Sequence, residues 1–98
     1  MGALIEKHTE GSKVICTYRS ANIYKTIYEP DKMLLEITFI NGAKYRYHAI
    51  TVMEHAGLLI AESAGQYIHR NFKSKRFEKI TAATVSYKPK KAKRGYIL

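Results

Sequence analysis

The sequence predicts an α+β domain: a small antiparallel β-meander of about three strands packed on two short C-terminal helices, with a basic tail beyond them. Three observations carry that expectation. β-Branched and aromatic residues alternate with polar ones between residues 23 and 48, as half-buried strands do. Two helix-start spacings then follow in succession, Thr51 with Glu54 and Ser63 with Gln66. Residues 88–98 hold Lys88, Lys90, Lys91, Lys93 and Arg94 with no acid among them, the composition of a flexible tail.

Residues 1–19 read as an N-terminal extension, mixed and polar up to residue 13, with room for one strand at "KVICTY". The domain proper is expected over 20–79, and a strand-like segment plus the tail over 80–98. "IYKTIY" is the first strand of the meander, and Glu29-Pro30-Asp31-Lys32 turns the chain, with Pro30 fixing φ, into "MLLEITFI". Asn41-Gly42 then marks a hairpin. A two-residue loop would set Phe39, Ile37 and Leu35 opposite Lys44, Arg46 and His48, mixing apolar and basic side chains on one face. A three-residue loop of Ile40, Asn41 and Gly42, with Gly42 left-handed, pairs Phe39 with Ala43, Ile37 with Tyr45 and Leu35 with Tyr47. That register gathers the apolar side chains and is the one expected. Tyr45 and Tyr47 are then core or core-rim rings rather than stacking platforms, and Glu36 faces Arg46 on the solvated side.

Thr51 and Glu54 start a helix over about 52–61, and Ser63 and Gln66 start a second through "AGQYIHRNF", with Tyr67, Ile68 and Phe72 inward and His69, Arg70 and Lys73 outward. The expected contacts of the core include Leu35, Ile37, Phe39, Tyr45, Tyr47, Leu59, Ile68 and Phe72.

At 98 residues, 46% of them hydrophobic and 26% charged, the chain holds one modest core and no second catalytic domain. Seventeen Lys and Arg against eight Asp and Glu give a net charge of +9, which favours polyanionic or acidic partners. The single cysteine, Cys16, makes no internal disulfide and lies in an apolar stretch, as a buried free thiol would in a reducing cytoplasm. No run reaches the roughly 18 apolar residues of a membrane span, so a cytoplasmic protein without membrane partners is expected. His8, His48, His55 and His69 form no zinc-ligand pattern with Cys16, and no glycine-rich phosphate loop precedes a helix. The expectation is therefore no metal, no cofactor and no enzyme. A nuclease pairing His48 or His69 with Glu36 or Glu54 is the weaker reading, because nothing in the spacing brings them together.

Several residues together make a family resemblance. They are "SANI" at Ser20 to Ile23, Tyr28-Glu29-Pro30, Leu35, Ile37, Phe39, Gly42, the pair Tyr45-x-Tyr47, and Ser63-x-Gly65 before Tyr67-Ile68. In order and spacing these resemble the KTSC domain, a module found at the C-terminus of some lysyl-tRNA synthetases and as a stand-alone protein of bacteria and phages. The sequence departs from the pattern at Ala21, where a second serine is frequent, at Thr51, where a proline often begins the helix, and at His69, usually an asparagine. The resemblance implies the α+β fold and, through the synthetase, contact with RNA.

Two function classes stay open. In the first, a binding module contacts RNA or another nucleic acid through Lys44 and Arg46 on the outer strand face and through His69, Arg70, Lys73, Lys75 and Arg76 around the end of the second helix. The strand residues lean toward an ordinary solvated face, since Glu36 would neutralise Arg46. In the second, the domain docks on a host or phage protein with an acidic face, for instance as a phage-encoded modulator of a host enzyme or defence complex. A homo-oligomer is compatible with either. Exposed stacking aromatics would favour RNA, and an apolar patch beside the basic cluster would favour protein, with Tyr18, Tyr24 and Tyr28 the rings to inspect.

Overall fold

The computed structural model describes residues 3–80. The element order is β1 (Leu4–Glu10), β2 (Lys13–Tyr18), β3 (Ile23–Glu29), β4 (Leu34–Phe39), β5 (Lys44–Tyr47), α1 (Val52–Ile60), α2 (Ala64–Phe72) and β6 (Phe77–Ile80). The strands form one antiparallel sheet in sequence order, so the sheet has six strands rather than the expected three or so. The added strands have physical reasons. β1 is an edge strand whose side chains are almost all exposed, so it carries no apolar alternation and is held by its backbone ladder to β2. β6 is four residues long and completes the other edge against β5, its Phe77 opposite Tyr47. The strand-like stretch and basic tail expected beyond residue 80 lie outside the described residues.

The hairpin register is the three-residue one: Leu35 pairs with Tyr47, Glu36 with Arg46, Ile37 with Tyr45 and Thr38 with Lys44. Phe39 N–H donates to Ala43 C=O at 2.8 Å, and Gly42 closes the loop at φ 94°, a conformation costly for any side chain. The helices cover the face that carries Cys16, Tyr18, Thr26, Tyr28, Leu35 and Ile37, all buried, and they add Leu58, Ala64, Ile68 and Phe72 to the core. Tyr47, Phe39 and Leu59 pack against that core half-buried. Two buried hydroxyls find partners, as burial requires. Tyr18 Oη lies 2.7 Å from Thr26 Oγ1, and Tyr28 Oη donates to Ile50 C=O at 2.6 Å.

Both helix starts fall where the capping spacings put them. At α1, Thr51 Oγ1 accepts from Glu54 N–H at 3.1 Å while Glu54 Oε1 accepts from Thr51 N–H at 2.9 Å, a complete capping box. At α2, Ser63 Oγ accepts from Gln66 N–H at 3.3 Å. The two helices approach closely at Gly57, where an added Cβ would overlap the Tyr67 hydroxyl.

Candidate functional site

The sheet separates the predicted basic residues into two groups. Lys44 and Arg46 stand on the face away from the helices, opposite Thr38 and Glu36. There Arg46 Nη1 binds Glu78 Oε2 at 3.2 Å and His48 Nε2 lies 3.4 Å from the same oxygen, so the neighbour across β6, not Glu36, holds the Arg46 charge. The Glu78 carboxyl is pulled below its ordinary range, first by the Arg46 hydrogen bond and then by His48. That surface is a mixed-charge, solvated one.

The second group is on or near α2. Lys75 is committed to the fold: its Nζ binds Glu54 Oε2 at 3.0 Å and donates to Ala49 C=O at 3.0 Å. The Glu54 carboxyl is held below its ordinary range chiefly by the Thr51 backbone N–H, with Lys75 adding to it. Arg76 gives its carbonyl to His48 N–H and leaves its side chain exposed. Among the described residues His69, Arg70 and Lys73 are exposed and make no ion pair.

His69 and Lys73 border a recess of about 280 Å³. The α2 helix supplies Gly65, Ile68, His69 and, at its C-cap, Lys73, and these fall on one side because helical neighbours three and four apart are adjacent. The chain leading into β3 supplies Asn22 and Ile23, and β4 and β5 supply Phe39 and Tyr47. Ser20 fixes this corner. Its Oγ accepts from Asn22 N–H at 3.1 Å and Ile23 N–H at 3.0 Å, and Asn22 C=O accepts from Ile40 N–H at 2.7 Å. The Asn22 side-chain amide has no protein partner among the described residues, and it lies about 3.5 Å from where a Cβ on Gly65 would stand.

Phe39 and Tyr47 continue from that recess into a second, shallower concavity of about 400 Å³ with Asn41, Ala43, Tyr45 and Phe77. The rings form a connected strip: Phe39 to Tyr45 at 5.6 Å, Tyr45 to Phe77 at 5.8 Å and Phe77 to Tyr47 at 5.3 Å, the last pair stacked. Tyr47 also reaches the buried Phe72 at 6.2 Å. The strip is thus rooted in the core yet open outside the helices, and Phe77 keeps 49% of its surface in water. Tyr47 is a core-rim ring, as the alternation predicted, whereas Tyr45, expected in the core as well, is half-buried against Phe39 and Phe77 and does not pack on the core; one side of each borders the concavity. Opposite Tyr45 on the same face stands Lys79. Of the other rings, Tyr18 and Tyr28 are buried, and Tyr24 is half exposed beneath the Lys25 ammonium, 5.9 Å from its centroid.

Sequence reasoning missed Asn22, Phe39 and Phe77 as site residues. Asn22 was visible inside "SANI", but only the fold sets it against α2. Phe77 lies in a basic and then strand-like stretch, and only the pairing of β6 with β5 sets it opposite Tyr47. Among the described residues no three His, Cys, Asp or Glu are grouped to hold a metal ion. No helix there is long and apolar enough to cross a membrane.

Comparison with known proteins agrees with this architecture. The chain is 32% identical over 59 residues to an uncharacterised protein of Stutzerimonas stutzeri (strain A1501), an alignment covering 60% of this chain and 83% of that one. Its fold is similar to the crystal structure of a KTSC domain protein from Yersinia pestis, with a TM-score of 0.62 and 24% identity over 78% of this chain and 97% of that one. The KTSC domain profile matches residues 19–77, spanning β3 to the start of β6, the Ser20 corner and the Tyr45-x-Tyr47 pair, and the chain therefore belongs to the KTSC domain family.

Proposed function

We propose that this chain is a non-enzymatic binding module of a bacterium or phage that holds single-stranded nucleic acid, RNA foremost, across its aromatic strip. The observation that carries the reading is the open, connected row Phe39, Tyr45, Phe77 and Tyr47, which departs from the expectation that the two tyrosines are not stacking platforms, with Lys73 and His69, which make no ion pair among the described residues, beside its inner end. Bases stack on half-exposed rings for about 1–3 kcal/mol each, whatever their identity. Lysines at the margin take the phosphates, and their affinity falls with salt as counterions are released. A duplex hides its base faces, so the strip selects for unpaired strands. A cytoplasmic setting accords with the fully buried, reduced Cys16, whose thiol burial pushes above its usual range. Self-association is not required by this reading.

The test is fluorescence anisotropy of the full chain with a single-stranded oligoribonucleotide and with a duplex of equal length. The single strand should bind more tightly, and Phe77→Ala should weaken it about tenfold, the loss of one stacked base. Equal affinity for the two forms together with an unchanged Phe77→Ala variant would remove the reading.

A different surface favours the protein-docking alternative. Along α1, Val52, Met53 and Ile60 are 62%, 81% and 80% exposed and form an uncharged apolar side. Such a patch fits a partner protein better than a polyanion.

A further inference from the structure

We infer that the recess between Asn22 and α2 is a pocket for one unpaired nucleobase of the bound strand, so that the domain reads base identity at a single position. The inference rests on the nucleic-acid reading of the neighbouring strip and adds what the strip alone lacks, a site with an edge to recognise. Size comes first. At about 280 Å³ the recess falls just below the roughly 300–1,000 Å³ of pockets that take drug-sized ligands, which suits a single ring system. Its walls come next. Ile23 and Ile68 are buried and apolar, while Phe39 and Tyr47 are shared with the strip, so a base in the recess continues the stack instead of leaving it.

The polar groups are placed for an edge and a backbone. Asn22 presents a side-chain amide that carries both a carbonyl acceptor and an NH₂ donor, the combination that pairs two adjacent atoms of a base. Its own backbone is already pinned by Ser20 and Ile40, so ordering costs little when a ligand arrives. His69 supplies a second donor or acceptor, and Lys73, four residues on at the C-cap of α2, borders the same recess to meet the flanking phosphate. Gly65 keeps the approach open. A side chain there would fill the space beside the Asn22 amide.

The experiment is a ¹⁵N-edited NMR titration of the full chain with each of the four ribonucleoside 5′-monophosphates, with ribose 5-phosphate as the base-less control. At least one nucleotide should move the Asn22, Gly65 and His69 amides where ribose 5-phosphate does not. Asn22→Ala, a change at an exposed side chain that leaves the Ser20 and Ile40 backbone contacts in place, should weaken that nucleotide about tenfold. Shifts identical for ribose 5-phosphate and the nucleotides, or none at these amides, would overturn the pocket. So would an oligonucleotide affinity that drops with Phe77→Ala but is indifferent both to Asn22→Ala and to an abasic residue at every position; the strip reading would survive that result. Base-dependent shifts in the recess with no oligonucleotide affinity would remove the strip and overturn the pocket as a reader of a bound strand, leaving a site for free nucleotides.

Discussion

The imidazole of His55 lies flat on the Tyr28 ring, centroids 4.2 Å apart and planes 18° from parallel. His55 is only 5% exposed, and its Nε2 is buried without a hydrogen-bond partner among the described residues. Burial, with the Lys7 charge adding to it, lowers its pKa to about 4. The unfolded chain takes up this proton near 6.5, before the folded one can, so stability conferred by the neutral ring is complete above that value and is lost as pH falls toward 4. Urea unfolding should therefore lose ~2–3 kcal/mol between pH 7.5 and 4.5, at the ~1.4 kcal/mol that each pKa unit represents. His55→Phe keeps the stacked ring and should flatten that slope; an unaltered slope would assign it elsewhere. Glu54 and Glu78, whose carboxyls are held low, add their own losses only below their unfolded value of 4.5.

Gly57→Ala tests the helix crossing. In an open helix the change would gain about 1 kcal/mol from helix propensity. Here the new methyl meets the Tyr67 hydroxyl, which is tied down by its 3.1 Å hydrogen bond to Glu54 C=O. The crowding should win by about 1–3 kcal/mol of destabilisation. Combined with Tyr67→Phe, which removes the obstructing oxygen, the loss should shrink, a non-additivity readable in a double-mutant cycle by thermal or urea unfolding.

Thr51→Ala removes one half of the capping box and should cost about 0.5–2 kcal/mol. Glu54 keeps Lys75 in that variant, so the loss should stay below that of Glu54→Ala, which takes away the backbone cap and the ion pair together. Comparing the two midpoints in urea checks the ordering.

Charge removal separates the two faces of the sheet. Arg46 is already held by Glu78 behind the strip, so Arg46→Ala should leave affinity for a single-stranded oligonucleotide nearly unchanged. Lys73→Ala should lower the affinity and reduce the log–log salt slope by about one unit, as removal of one phosphate contact does. Equal effects from both would mean that charge alone, not position, draws the ligand.

Local signals were legible wherever one residue's partner lies a few positions away. Thr51 with Glu54, Ser63 with Gln66 and the Gly42 loop each declare themselves within a short span, and the structure has all three. The inward set of α2 was likewise readable, because Ile68 and Phe72 are four apart. β1 was not, since an exposed edge strand needs no apolar alternation to pair. Arg46 was given the wrong counterion for a related reason. Glu36 is its neighbour across the hairpin, but Glu78 arrives from a strand 32 residues away. The site suffered most from this distance effect: Asn22, Phe39, Phe77 and Lys73 meet only after β3, β4, α2 and β6 have come together.

The excursion between β5 and β6 gives the fold a temporal order. Every other pair of neighbouring strands is joined by a short turn and can zip locally, whereas β6 finds β5 only after residues 48–76 have been laid over the sheet. A chain emerging from a ribosome N-terminus first would have its hairpins before it had Phe77. Three rings of the strip would then stand ready and the fourth would be missing, so the aromatic strip is completed last, as a by-product of closing the sheet.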